Sequence, residues 1–231
     1  MTRTAVPPTP VRPRRRQPWV LPLGLLAVAF LAFALPPYVT FDPAEARVPV
    51  PAELPHFYPM LAAHIGFGSV ALLTSVLQVW PWLRRRRPAV HRWSGRAYLF
   101  AGVFPGAVAV LTVAPFGSMG WGQQTGNTVL GLLWLATGIA GYRAVRQRRF
   151  ADHRRWMLRS VALTWSIVAN RGWLVLCLAV FSPGALGDGP VDPTALMLAV
   201  GVASWASWVV NLAVVEWWLR RRPRPRRDQP R

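Results

Sequence analysis

Five side chains of this chain could do chemistry at membrane depth: His64, His91, His153, Arg171 and, beside the last, Asn170. His64 lies in LAAHIGFGSVALLTSVLQ, about seven residues inside an apolar run, where an ionisable group is costly and faces a bundle interior. It either serves a site there or ties two helices together as a neutral, hydrogen-bonded imidazole. Arg171 lies about ten residues inside another apolar run, and a guanidinium cannot shed its proton. It needs a bound anion, a propionate-like cofactor group or an Asp or Glu dipping in from a loop, or else it snorkels to the surface. His64, Arg171 and Asn170 therefore form one candidate site in the outer leaflet. His91 opens HRWSGRAY and His153 opens HRRWMLRS. Two neutral imidazoles from different helices are what a bis-histidine haem b needs, although basic surroundings suit interfacial hydrogen bonding or lipid headgroups equally well.

The spacing limits these pairings. About 19 residues, or about 28 Å of helix, separate His64 from the far end of its run, so His64 and His91 cannot grip one iron. His56 and His64 are eight residues apart on one helix, about 12 Å, and cannot flank one either. A single haem at the inner side, on His91 and His153, remains.

The elements that must position these residues are apolar runs of membrane-spanning length. The chain has 231 residues, 53% of them hydrophobic, with 13 tryptophans and only 8 acidic side chains. Apolar runs recur six times, at about 18–36, 57–83, 97–116, 128–145, 156–181 and 194–219, each able to cross a hydrocarbon core of about 30 Å. The expected fold class is an all-α polytopic transmembrane bundle with both termini inside, flanked by disordered basic tails at 1–17 and 220–231. Ala32-Phe33-Ala34 also fits a signal-peptidase site, which would remove the first run without changing the orientation of the rest. Residues 37–55 are expected to form an extended outer loop with little structure of its own, and Gly117 to Asn127 a second, uncharged loop. Pro105 beside Gly106 is expected to kink the third span.

Formal net charge +19 would suit nucleic acid. The placement of the 27 basic residues, all arginine, gives another reading. With both termini inside, 25 of the 27 fall on the cytoplasmic side; only Arg47 lies outside and Arg171 within a span. The charge runs thus read as positive-inside topology and contact with anionic lipids, with no nucleic-acid partner. Glu216 is expected to pair with Arg220 one turn away. Trp80, Trp82, Trp93, Trp121, Trp156, Trp217 and Trp218 fall at interfaces, and Gly66, Gly68, Gly102, Gly106, Gly138 and Gly141 suit close helix packing. The single cysteine, Cys177, leaves no disulfide and no CxxC metal site, and no nucleophile elbow, Walker loop, HExxH or Rossmann fingerprint is present, so no catalytic residue is assigned.

His91-Arg92-Trp93 and His153-Arg154-Arg155-Trp156 echo each other 62 residues apart, each opening an outward span, as a duplicated two-helix unit would. The echo lacks a histidine matching His64. Taken together, His64 in its run, HRWSGRAY at 91–98, HRRWMLRS at 153–160 and Asn170-Arg171 resemble the bacterial predicted membrane-protein family called domain of unknown function 2306, over roughly residues 57–175. That resemblance implies a multi-pass membrane protein without an assigned activity, here expected in the bacterial cytoplasmic membrane, and it singles out His64, His91, His153 and Arg171. Three functions are compatible with it: a haem- or quinone-linked redox protein, a cofactor-free transporter or assembly protein handling protons or anions, and a structural or partner-binding protein.

Overall fold

A computed structural model describes residues 18–187 and 189–221, and every described element is helical. The tail segments 1–17 and 222–231, and Asp188, lie outside the described residues. In lipid a backbone must satisfy its own hydrogen bonds, and helices do so within one segment. The elements are α1 (Val20–Ala34), α2 (Phe57–Val79), α3 (Pro81–Arg86), α4 (Pro88–Tyr98), α5 (Phe104–Val113), α6 (Trp121–Arg146), α7 (Phe150–Thr164), α8 (Ser166–Phe181) and α9 (Pro193–Arg221).

Four helical stretches are long and apolar enough to cross a membrane: Phe57–Val79, Pro88–Phe116, Trp121–Arg146 and Pro193–Arg221. A fifth is the pair α7 and α8, bent by 43° at Trp165. The helix at the first of the six expected runs, α1, has 15 residues. At about 22 Å it is shorter than a hydrocarbon core of about 30 Å. It stops before Pro36 and Pro37, which open a 3-10 turn, Pro36–Tyr38.

Several boundaries differ from those expected. α2 ends at Val79 because Trp80 is extended ahead of Pro81, so Arg84, Arg85 and Arg86 sit on the separate short helix α3. α4 begins at Pro88, a residue preorganised for a first turn, and therefore carries His91 within it. α6 begins at Trp121, so most of the stretch from Gly117 to Asn127 is helical rather than loop. Residues 37–55 also have local structure: Asp42 caps the 3-10 turn Pro43–Glu45 through Ala44 N–H, and Thr40 donates to Glu45.

α2, the α4–α5 span, α6 and α7 pack as a ring, each against the next, with α4 diagonal to α7. α9 lies against α6, α7 and α8, and α1 against α2. The close approaches use glycine. A Cβ at Gly102 would come within 3.0 Å of the Ala71 backbone, and one at Gly122 within 3.2 Å of the Gly201 Cα. Gly66 and Gly68, by contrast, have nothing within 4 Å of a Cβ, so they are not packing positions within this chain.

Two interruptions shape the spans on this diagonal. Pro105 has no N–H, and just before it the helix slips into a π turn over Leu99–Val103, with Phe104 N–H donating to Leu99 C=O. At Trp165 the break between α7 and α8 is flanked by hydroxyls bonded back to the helix, Thr164 to Ser160 C=O and Ser166 to Leu163 C=O, a pattern that bends helices. Residue 165 follows Val103 by the same 62 positions that separate His153 from His91.

Candidate functional site

Two histidine layers and a polar core between them occupy the bundle. In the arginine-rich layer, His91 lies on α4 and His153 on α7. His153 Nδ1 is 2.9 Å from Gly141 C=O on α6. A carbonyl only accepts, so Nδ1 carries the proton and Nε2 keeps a free lone pair. That is the tautomer that histidine ligands of metals adopt. His91 Nδ1 is buried without a hydrogen-bond partner, while its backbone carbonyl accepts from Gln78 on α2. His153, Arg84 and Arg92 all stand within electrostatic reach of His91.

The facing of α4 and α7 is fixed one heptad further in. Tyr98 OH is 2.8 Å from both Ser160 Oγ and Thr164 Oγ1, and Trp134 Nε1 donates to Thr164 over 2.9 Å. Donor counting gives this cluster a direction. Thr164 spends its proton on Ser160 C=O, so it must accept from Tyr98, and Tyr98 in turn accepts from Ser160. Tyr98 and Ser160 are completely buried, and every bond is satisfied. His91 precedes Tyr98, and His153 precedes Ser160, by seven residues each. Seven residues of α-helix return to nearly the same face about 10.5 Å along the axis. The two histidines thus lie on the stripes that face each other across the diagonal.

The opposite layer holds His64, half-buried on α2, with Nδ1 2.9 Å from Gly106 C=O and its ring edge-on to Trp134 at 6.3 Å. Trp134 therefore touches both the polar core and His64. Arg171 is elsewhere. It is exposed on α8. Among the described residues it has no ion-pair partner, no hydrogen bond joins it to His64, and the half-buried Asn170 makes none either. Glu216 pairs with Arg159 on α7 rather than with Arg220. No group of three or more His, Cys, Asp or Glu side chains is arranged to hold a metal ion among the described residues.

Spacing alone did not reveal the polar core. Tyr98, Ser160 and Trp134 are unremarkable residues of apolar runs, and the 62-residue echo, extended by seven positions to Tyr98 and Ser160, was the available signal.

The family model described as Predicted membrane protein (DUF2306) matches residues 61–219, well over half the chain, and the chain belongs to that family. His64, His91, His153, Asn170 and Arg171 all fall within the matched stretch. No curated protein and no solved structure matches the chain.

Proposed function

We propose that this member of the predicted membrane-protein family is a haem-linked redox protein in which His91 and His153 would hold one b-type haem at the arginine-rich end of the bundle. The observation that carries this reading is the Tyr98–Ser160 bond, which turns the two histidine-bearing stripes toward each other one heptad away. Three further features support it. His153 has Nδ1 engaged and Nε2 open, and His91 has an orphaned buried nitrogen. Two neutral imidazoles from different helices are the side-chain set that a bis-histidine haem uses. Arg84 and Arg92 near His91 suit the propionates. The bound group would supply one-electron chemistry, while the chain's own residues orient the ligands and exclude water.

The protein is proposed to lie in the bacterial cytoplasmic membrane with both termini inside, α1 completing a sixth, thin-spanning segment, and the arginine-rich layer facing the cytoplasm and its anionic lipids. A proton wire through the bundle has less support. The indole N–H of Trp134 can donate but not accept, and its contact with His64 is ring against ring. Among the described residues, no hydrogen-bonded path then leads from Thr164 to His64.

The test is the absorption spectrum of protein purified from haem-replete cells. A Soret band is expected in the native chain and lost in both His91→Ala and His153→Ala. A colourless preparation, or a band that survives both substitutions, overturns the assignment.

A further inference from the structure

Tyr58, in the first turn of α2, is only 7% exposed, and its hydroxyl is buried with no hydrogen-bond partner among the described residues. A phenol that has left water and donates to nothing is unfavourable. The same residue lines a cavity of about 410 Å³, together with Pro59, Ala62 and Ala63 of α2 and Phe41 of the α1–α2 connection. Phe41 is a second departure from relaxed structure at that cavity. Its φ is 56°, in the left-handed region that a bulky side chain rarely adopts, and its ring is 73% exposed. Strained backbone and unpaired polar groups collect where a fold is shaped for an occupant.

The walls define what that occupant is. None of the five side chains carries a charge, one has a hydrogen bond to donate, and the rest are apolar or aromatic. The occupant is therefore neutral, presents an oxygen acceptor and has a flat or apolar body. The volume falls within the range of about 300–1,000 Å³ that small-molecule sites occupy. Ala63 also lines an adjoining apolar groove of about 400 Å³ between α2 and α5, with Met60, Phe67 and Pro105 among its walls. That groove lies at the outer face of the bundle, where Phe67 and Val108 are exposed, and gives a chain attached to the head a path into lipid. His64, the residue after Ala63, is engaged with Gly106 C=O and Trp134 and is not part of either wall.

We infer that this cavity, at the arginine-poor end, binds the head of a membrane quinone: the Tyr58 hydroxyl donates to a quinone carbonyl, the Phe41 ring lies against the head, and the isoprenoid tail follows the groove. The choice of a quinone among neutral carbonyl-bearing lipids rests on the haem-linked redox reading. The cavity and its unpaired donor do not.

The experiment measures thermal unfolding of the full chain in neutral detergent with a short-tailed ubiquinone or menaquinone, or with dioctanoylglycerol, which offers carbonyls without the ring. A quinone is expected to raise the Tm of the native chain and dioctanoylglycerol to leave it unchanged. Tyr58→Phe keeps the packed ring and removes the unpaired hydroxyl, so it should raise the Tm of the quinone-free chain while weakening quinone binding about five- to tenfold, the loss of one hydrogen bond. Ala63→Leu, which adds bulk where cavity and groove meet, should weaken binding as well. The assignment is overturned if the native chain responds to no quinone or responds equally to dioctanoylglycerol, or if Tyr58→Phe lowers Tm or binds quinone as the native chain does. The Soret region of the same samples scores the haem separately: quinone binding without a band keeps this site and removes the haem, and a band without quinone binding does the reverse.

Discussion

The Tyr98 hydroxyl lies 2.8 Å from Ser160 Oγ, a bond between residues 62 apart that repeats the separation of His91 from His153. One contact in the bundle core therefore sets the register of two helices whose other ends carry the histidines. Tyr98→Phe keeps the ring and removes the hydroxyl, leaving Ser160 Oγ without its partner. A loss of about 1–2 kcal/mol is expected, since membrane hydrogen bonds are worth about 1 kcal/mol and an orphaned hydroxyl adds its desolvation. A double-mutant cycle with Ser160→Ala should show coupling between the positions. Additive effects in that cycle would contradict the bond.

The same register makes a spectroscopic prediction. On the proposed haem reading, Tyr98→Phe loosens the facing of α4 and α7 without touching either histidine, so the Soret band expected of the native chain should broaden or shift without being lost. His153→Ala should remove it. If Tyr98→Phe changes stability but leaves the spectrum identical, Tyr98 holds the bundle without positioning the ligands.

Gly102 and Gly66 provide a contrast between glycines that look alike in sequence. A methyl at Gly102 meets the Ala71 backbone at 3.0 Å and cannot be accommodated by a side-chain shift, so Gly102→Ala should cost about 1–3 kcal/mol. Gly66→Ala meets nothing within 4 Å and should leave Tm unchanged or slightly raised, because alanine is the better helix former. Equal effects at the two positions would refute the packing of α2 against the π turn.

That contrast also marks what could be read from the sequence. Apolar run length places helices because lipid demands it: four of the six expected runs recur as helical stretches of spanning length, and another recurs as a helix pair bent by 43°. Length cannot say which face a helix turns inward. The sequence therefore groups Gly66 with Gly102 as small residues, and His64 with Arg171 by depth. For His91 and His153 the similar openings HRW and HRRW share a 62-residue offset, which recurs at the bonded pair Tyr98 and Ser160. Depth does not give the facing of Arg171 either: α8 turns away at the 43° break, and nothing in the composition around Trp165 announces a bend made by hydroxyls bonding back to their own helix.

His64 is held by one hydrogen bond and one ring contact, and these can be separated. His64→Phe keeps an aromatic edge against Trp134 and loses the bond to Gly106 C=O. That carbonyl lies within α5, so the expected cost is about 1 kcal/mol. His64→Ala loses both contacts, leaves a cavity beside Trp134 and should cost distinctly more, with a change in tryptophan fluorescence. If both variants are as stable as the native chain, His64 does not serve the fold.

Glu216 tests which arginine matters at the end of α9. Sequence proximity favours Arg220, one turn away, but the carboxylate is bonded to Arg159 on α7, and Arg159 also lies 4.7 Å from the Trp156 ring centre. Arg159→Gln should therefore lower Tm and loosen α7 from α9, while Arg220→Gln should do neither. The pair is partly exposed, with 22% and 36% of the two side chains accessible, so the effect is expected to be at most about 1 kcal/mol and to shrink at high salt. A larger effect from Arg220→Gln would place the carboxylate on its own helix and return α9 to an independent span, held to α7 by apolar packing alone.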